Sequence, residues 1–137
     1  MAPLSDEEIR RVVNTFLGFD RQVNARYDAT VRTAFRLSHD ANGDEFGEIV
    51  FGPDIYPGRG VADPNSALSL DAAVAHELTH YYRWRNRVAL PDPALEHIDE
   101  AMTSLEAIQR YGNDLSPNDI RQLVADAGQR LHLFATA

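Results

Sequence analysis

The 137-residue chain contains no cysteine, which excludes disulfides and every metal centre built on thiolates. A bound metal would have to be held by histidine and carboxylate. Basic residues are also scarce: 13 Lys and Arg stand against 21 Asp and Glu, for a formal net charge of −8. A protein that grips nucleic acid or an anionic membrane needs a basic face, so neither is an expected partner. No apolar run approaches the roughly 18 residues of a membrane span. The opening MAPLSDEEIRR is acidic and polar where a secretory signal is basic and then apolar. The expectation is a cytoplasmic protein, although export without a leader is compatible with the same residues.

What is present fits one globular domain over residues 1–137. The 44% hydrophobic and 25% charged content is average for a soluble fold, and a chain of this length buries a core without covalent staples. Ser5 and Glu8 form a Ser-x-x-Glu capping box, and Ile9, Val12, Val13, Phe16 and Leu17 recur at helical spacing, predicting a first helix to about Arg26. TVRTAFRLS (30–38) and EIVFGPDIY (48–56) flank the turn-rich HDANGDEFG and read as a β-hairpin. Asp40, Asn42 and Asp44 alternate as in a calcium loop, but Glu45 stands where such a loop needs glycine and Phe51 where it needs glutamate. PGRGVADPNSALS (57–69) is a loop leading to a helix from Ser66 or Ser69 to Arg87. Pro91 and Pro93 punctuate a tight connection, a helix follows over 94–111, and Ser116 caps a last helix that has Pro117 at its first position and runs to about Leu131. The fold class is α+β, mostly helical, with a small antiparallel sheet beside the helix of residues 69–87 and no internal repeat.

That helix carries AVAHELTHYYRW (73–84), in which His76, Glu77 and His80 stand in the order His-Glu-x-x-His. Residues four apart lie on one side of a helix, so both imidazoles can reach one ion at about 2.0–2.1 Å. Glu77 lies one step around, beside the ion rather than on it, where it can take a proton from an attacking water. The same spacing arises in ordinary helices, but the apolar flanks imply burial, and two histidines with a glutamate are costly to bury unless a cation compensates them. A hydrolytic zinc site needs three protein ligands and an open fourth position. YYRWRN, after His80, lacks the glycine and third histidine of the metzincin pattern. The third ligand must come from further on, and Glu96, His97, Asp99, Glu100 and Glu106 are the candidates.

With DEAMTSLEA (99–107) behind it, the motif resembles the gluzincin metallopeptidases, the thermolysin-like group, whose third ligand is a glutamate on the next helix, often preceded by Asn or Asp and followed by a small residue. The resemblance covers residues 73–84 and 96–107, under a fifth of the chain, and is closest to minimal single-domain members that keep only the zincin core. It implies a zinc metallopeptidase with Zn²⁺ on His76, His80 and Glu100, Glu77 as general base, and a peptide or protein substrate. It also implies that a strand at the sheet edge pairs with the substrate backbone, pointing to EIVFG (48–52), with Ile49, Val50 and Phe51, as the rail. The chain departs from the thermolysin pattern at Ser104, where that group carries an aspartate four residues after the ligand. Ser104, Thr103 and Asp99 are therefore the candidates for the partner that orients His76, which metal ligands generally need.

An oxyanion donor is also required. Tyr81, Tyr82, Tyr111, His39 and His132 are all available, with His132 reading as structural beside Leu131, Leu133 and Phe134. A peptide-deformylase-like site is disfavoured because its cysteine ligand is missing. The competing function is a zincin-like domain without proteolysis, a binding or sensor module with a blocked or shallow cleft.

Overall fold

The computed structural model of the protein describes residues 2–57 and 68–137. Helix α1 (Asp6–Phe19) starts on the expected capping box: Ser5 Oγ accepts from the Glu8 amide at 3.1 Å and the Glu8 carboxylate accepts from the Ser5 amide at 2.9 Å. It stops at Phe19 rather than near Arg26. Asp20 turns extended, and its carboxylate accepts from the Gln22 amide at 2.9 Å and from the Tyr82 hydroxyl at 2.8 Å. The chain then enters strand β1 (Ala25–Tyr27), three residues too short to show a period and so absorbed into the helix in the sequence reading.

The predicted hairpin forms from β2 (Ala34–His39) and β3 (Glu45–Phe51), antiparallel with Ala34 opposite Val50 and His39 opposite Glu45. Its turn is closed by the Asp40 carboxylate, which accepts from the amides of Asn42 and Asp44, and by Gly43 at φ +82°, a conformation that favours glycine. The hairpin is shorter at its open end than the sequence suggested and reaches further toward the turn, to His39 and Glu45. Thr33 donates to the buried Asp54 carboxylate through its amide (2.9 Å) and its hydroxyl (2.8 Å), while its hydroxyl accepts from the Gly52 amide at 3.1 Å. These bonds divert the chain before β2, and Pro53–Ile55 forms a 3₁₀ turn in place of further strand. β1 adds parallel to β3, Ala25 opposite Ile49 and Tyr27 opposite Phe51. The sheet is therefore mixed, in the order β1-β3-β2, where a simple antiparallel hairpin was expected.

Helix α2 (Leu70–Arg85) is capped by Ser69, whose hydroxyl accepts from the Ala72 amide; Ser66 and most of the 57–69 loop lie outside the described residues. Every residue from Ala72 to Thr79 is buried. After a 3₁₀ turn at Pro93–Leu95, α3 (Glu96–Tyr111) crosses α2, and α4 (Pro117–Thr136) returns along α3 from its Ser116–Asp119 capping box and continues beyond Leu131. Asp119 also accepts from Ser69 Oγ at 2.6 Å, locking the start of α2 to the start of α4. Val12 and Phe16 of α1, Ile49 and Phe51 of β3, Ile55, Val74 and Leu78 of α2 and Leu123 of α4 are fully buried in one cluster. Each such side chain contributes about 1.5–3 kcal/mol relative to exposure, and together they fix α2 against the sheet. Among the described residues no helix is long and apolar enough to cross a membrane.

Candidate metal centre

The one-turn spacing within α2 stacks His76 over His80, and the packing of α3 on α2 brings Glu100 onto the same point. His76 Nε2 lies 2.8 Å from Glu100 Oε2, His80 Nε2 lies 3.0 Å from the same oxygen, and the two imidazole nitrogens are 3.1 Å apart. Tetrahedral ligands about 2.0–2.1 Å from an ion stand roughly 3.3 Å from one another, so the three atoms already outline one face of such a site with slight contraction.

The surrounding hydrogen bonds assign which nitrogens carry protons. Ser104 Oγ donates to Asp126 Oδ2 at 2.6 Å, so toward His76 Nδ1, 2.8 Å away, it can only accept. Thr103 Oγ1 donates to the Asp99 carbonyl at 2.7 Å and in the same way leaves a lone pair for His80 Nδ1 at 3.4 Å. In the neutral state this pattern places the proton of each imidazole on Nδ1, so that two bare Nε2 lone pairs face a carboxylate oxygen. Three acceptors converging without a donor repel one another unless a cation, or added protons, stands among them. The pKa directions agree. Burial lowers that of His80, but the hydrogen bond its protonated ring would donate to Glu100, with the charges of Glu100, Glu77 and Asp99, outweighs it and leaves it raised above 6.5. Burial would raise that of Glu100, but the two imidazoles overcome this and hold it well below the usual carboxylate range. Positive charge is favoured here. A two-histidine, one-carboxylate donor set without sulfur fits Zn²⁺.

Glu77 follows His76 on α2 and is 3% exposed. Burial raises its pKa, against the lowering effect of His80 and His76, and its Oε2 has no hydrogen-bond partner among the described residues. An acceptor buried without a partner costs roughly 1–3 kcal/mol or more, an expense that a reacting water or substrate would relieve. Glu77, His80 and Glu100 open into a cleft of ≈ 560 Å³ shared with Arg32, Ala34, Phe35, Glu96, His97 and Arg130. A depression of the same volume on α1, lined by Arg10, Arg11 and Asp71 among others, brings no comparable set of donors together.

The rival ligands are otherwise engaged. Asp99 and Glu106 face Arg83, a buried arginine of α2 that donates to Asp99 Oδ1 at 2.6 Å and to the Val88 carbonyl at 3.3 Å and lies 3.7 Å from Glu106. Asp99 also accepts from the Leu90 amide at 3.0 Å, so it does not orient His76; Ser104 does. Glu96 and His97 line the cleft without joining the cluster.

The substrate rail needs correction. Ile49, Val50 and Phe51 are fully buried in β3, and β3 is the middle strand, its backbone paired with β1 on one side and β2 on the other. At Ile49, Val50 and Phe51 it has no free edge to offer. The strand that reaches the cleft is β2, through Ala34 and Phe35. The central position of β3 follows from β1, which the sequence reading did not find.

None of the proposed oxyanion donors lines the cleft. Tyr82 is bonded to Asp20 under Arg110, Tyr111 packs edge-on against Phe19, Tyr81 joins Phe35 and Trp84 in an aromatic cluster, His39 ends β2, and His132 is exposed on α4 rather than packed within the fold. Arg130 does line it, its guanidinium on Asp126 at 3.2 Å and 3.6 Å from Glu100. Its only sequence signal was the i,i+4 spacing of Asp126 and Arg130. Comparison of the chain with known protein families, with curated proteins and with solved structures finds no significant match.

Proposed function

We propose that the chain is a zinc-dependent metallopeptidase of the gluzincin type, with His76, His80 and Glu100 as ligands and Glu77 as general base. The observation that carries this reading is the convergence of three lone-pair-bearing atoms within 3.1 Å of one another, next to a buried glutamate with an unpartnered oxygen. A bound zinc supplies Lewis acidity to the scissile carbonyl and acidifies the attacking water. Glu77 takes the proton of that water as it adds to the carbonyl carbon, then delivers it to the amine nitrogen as the peptide bond breaks. The raised pKa of Glu77 suits the second half of this task, because a carboxyl that holds its proton less weakly near neutral pH is the better general acid. Arg130 and His97 both line the cleft wall, and the oxyanion-donor role in this reading is assigned to them.

Substrate would add to β2, with Ala34 and Phe35 at the cleft. Backbone pairing of this kind gives affinity with little sequence choice. Cleavage of an unfolded protein such as casein tests the reading: the zinc-loaded wild type should cut it, chelation should stop the reaction and zinc should restore it. Zinc-loaded protein that cuts nothing, yet binds a protein partner with an affinity unchanged in Glu77→Gln, would point instead to a non-proteolytic binding module.

A further inference from the structure

Ser104 stands four residues beyond Glu100, and its hydroxyl is shared between two helices. It accepts from His76 Nδ1 at 2.8 Å and donates to Asp126 Oδ2 at 2.6 Å. All three groups are buried: His76 is 1% exposed, Ser104 0% and Asp126 6%. Asp126 comes from α4, 22 residues further along the chain from Ser104, and Arg130 one turn later fixes its carboxylate with the guanidinium Nε at 3.3 and 3.2 Å from its two oxygens. A buried carboxylate is costly unless its oxygens are bonded, and here both are, one by Arg130 alone and one by Arg130 and Ser104.

We propose that Asp126 is a positioning residue for the metal centre, acting on His76 through Ser104. This rests on the zinc reading above. An imidazole that ligates through one nitrogen needs a partner on the other to fix its tautomer and ring plane and to increase its donor strength. A serine alone does this weakly, since a free hydroxyl can rotate and offer either its proton or its lone pair. Asp126 removes that choice. It accepts the hydroxyl proton, turns the Ser104 lone pair toward His76, and so holds the His76 proton on Nδ1 and the bare Nε2 toward Glu100. The carboxylate therefore works at one remove, and α4, which supplies no ligand, becomes part of the centre.

The test is zinc affinity of the full chain by chelator competition, together with the absorption spectrum of the Co²⁺-substituted protein and the ¹⁵N tautomer signature of His76 in the zinc form. Ser104→Ala and Asp126→Ala should each weaken zinc binding about 10- to 100-fold, shift the Co²⁺ bands and loosen the Nδ1–H tautomer. The double variant should bind no more weakly than Ser104→Ala alone, because both changes cut the same chain of bonds. Asp126→Asn, which keeps an acceptor oxygen for Ser104, should retain most of the affinity and guards against a fold lost in the alanine variant. Additive losses, or an unaltered Co²⁺ spectrum in Asp126→Ala, would each overturn the relay while wild-type zinc binding stood. Wild-type protein that takes up no zinc would overturn the metal reading itself.

Discussion

Replacing Glu77 by glutamine separates metal binding from catalysis more sharply than any other change to this protein. The amide matches the carboxylate in shape, and Glu77 belongs neither to the triad of His76, His80 and Glu100 nor to the hydrogen bonds that orient it. Zinc stoichiometry should be unchanged. What disappears is proton transfer, which contributes about 10²–10⁴-fold to a reaction of this kind, or roughly 3–5 kcal/mol of barrier. The loss should fall on kcat with little effect on KM, since Glu77 does not lie on β2. Stability should move the other way. Burial raises the Glu77 pKa above its ordinary 4.5, so the folded state binds the proton more tightly than the unfolded state, and stability falls as pH rises from the unfolded pKa through the folded one. Metal-free Glu77→Gln lacks this titration and should be the more stable protein at neutral pH, the two variants converging below about pH 4. Peptide hydrolysis, zinc analysis and urea unfolding at two pH values read all three effects. A variant that keeps wild-type kcat refutes the general-base role, and one that loses its zinc refutes the placement of Glu77 outside the ligand set.

His80→Ala and Glu100→Ala should each lose stoichiometric zinc on dialysis, and saturating zinc at about 100 times its Kd should raise the unfolding free energy of the wild type by about 2.7 kcal/mol with no such gain in either variant. Acid should release the metal: a proton on His80, whose pKa is raised above 6.5, competes with zinc, so affinity should already be falling as pH drops toward 6.5 and should continue down by up to tenfold per unit for each proton taken up; a flat profile would count against His80 as a ligand. Arg83→Ala strips the partner from Asp99 and Glu106 between α2 and α3 and should cost about 3–5 kcal/mol, a drop of about 10 °C or more in Tm by calorimetry. In Gly47→Ala the new Cβ would meet the Phe35 ring at 2.6 Å and Trp84 at 3.1 Å, so the Phe35 ring must shift; about 1–3 kcal/mol of stability should be lost, with a rise in KM because Phe35 lines the cleft.

The features legible in the sequence were those set by neighbours in the chain. Capping residues Ser5 and Ser116, the core-facing Val12 and Phe16 of α1 and the His76–His80 pair all act within one or two helical turns and stand where the pattern put them, whereas Leu17 of the same stripe is exposed. The Asn42-Gly43 turn is local in the same sense. What escaped depended on distant contacts. β1 exists because β3 offers it a parallel edge, and the end of α1 is set by Tyr82 reaching Asp20 across 62 residues of chain. Missing β1 made β3 look like an edge, and the substrate rail was misplaced for that reason alone. Arg83 and Asp126 could not be recognised either, because a charged residue in a helix reads as solvated face until a partner from another helix is seen to bury it.

The placement of Asp126 bears on how these helices could hold a metal centre. A ligand pair on one helix is preorganised by the helix itself, but Glu100 depends on the packing angle between α2 and α3, and an error of about 1 Å is enough to spoil a site. Two sets of buried polar contacts fix that angle. Arg83 ties α2 to Asp99 and Glu106, while His76 is tied through Ser104 to Asp126 and thence to Arg130. These groups satisfy one another only when the helices sit in one register, since a slipped helix would strand a buried charge at several kcal/mol. Apolar packing between α2, α3 and α4 would tolerate small slips that these polar contacts do not. The registry of these helices is supplied by charges that no single segment of the sequence explains.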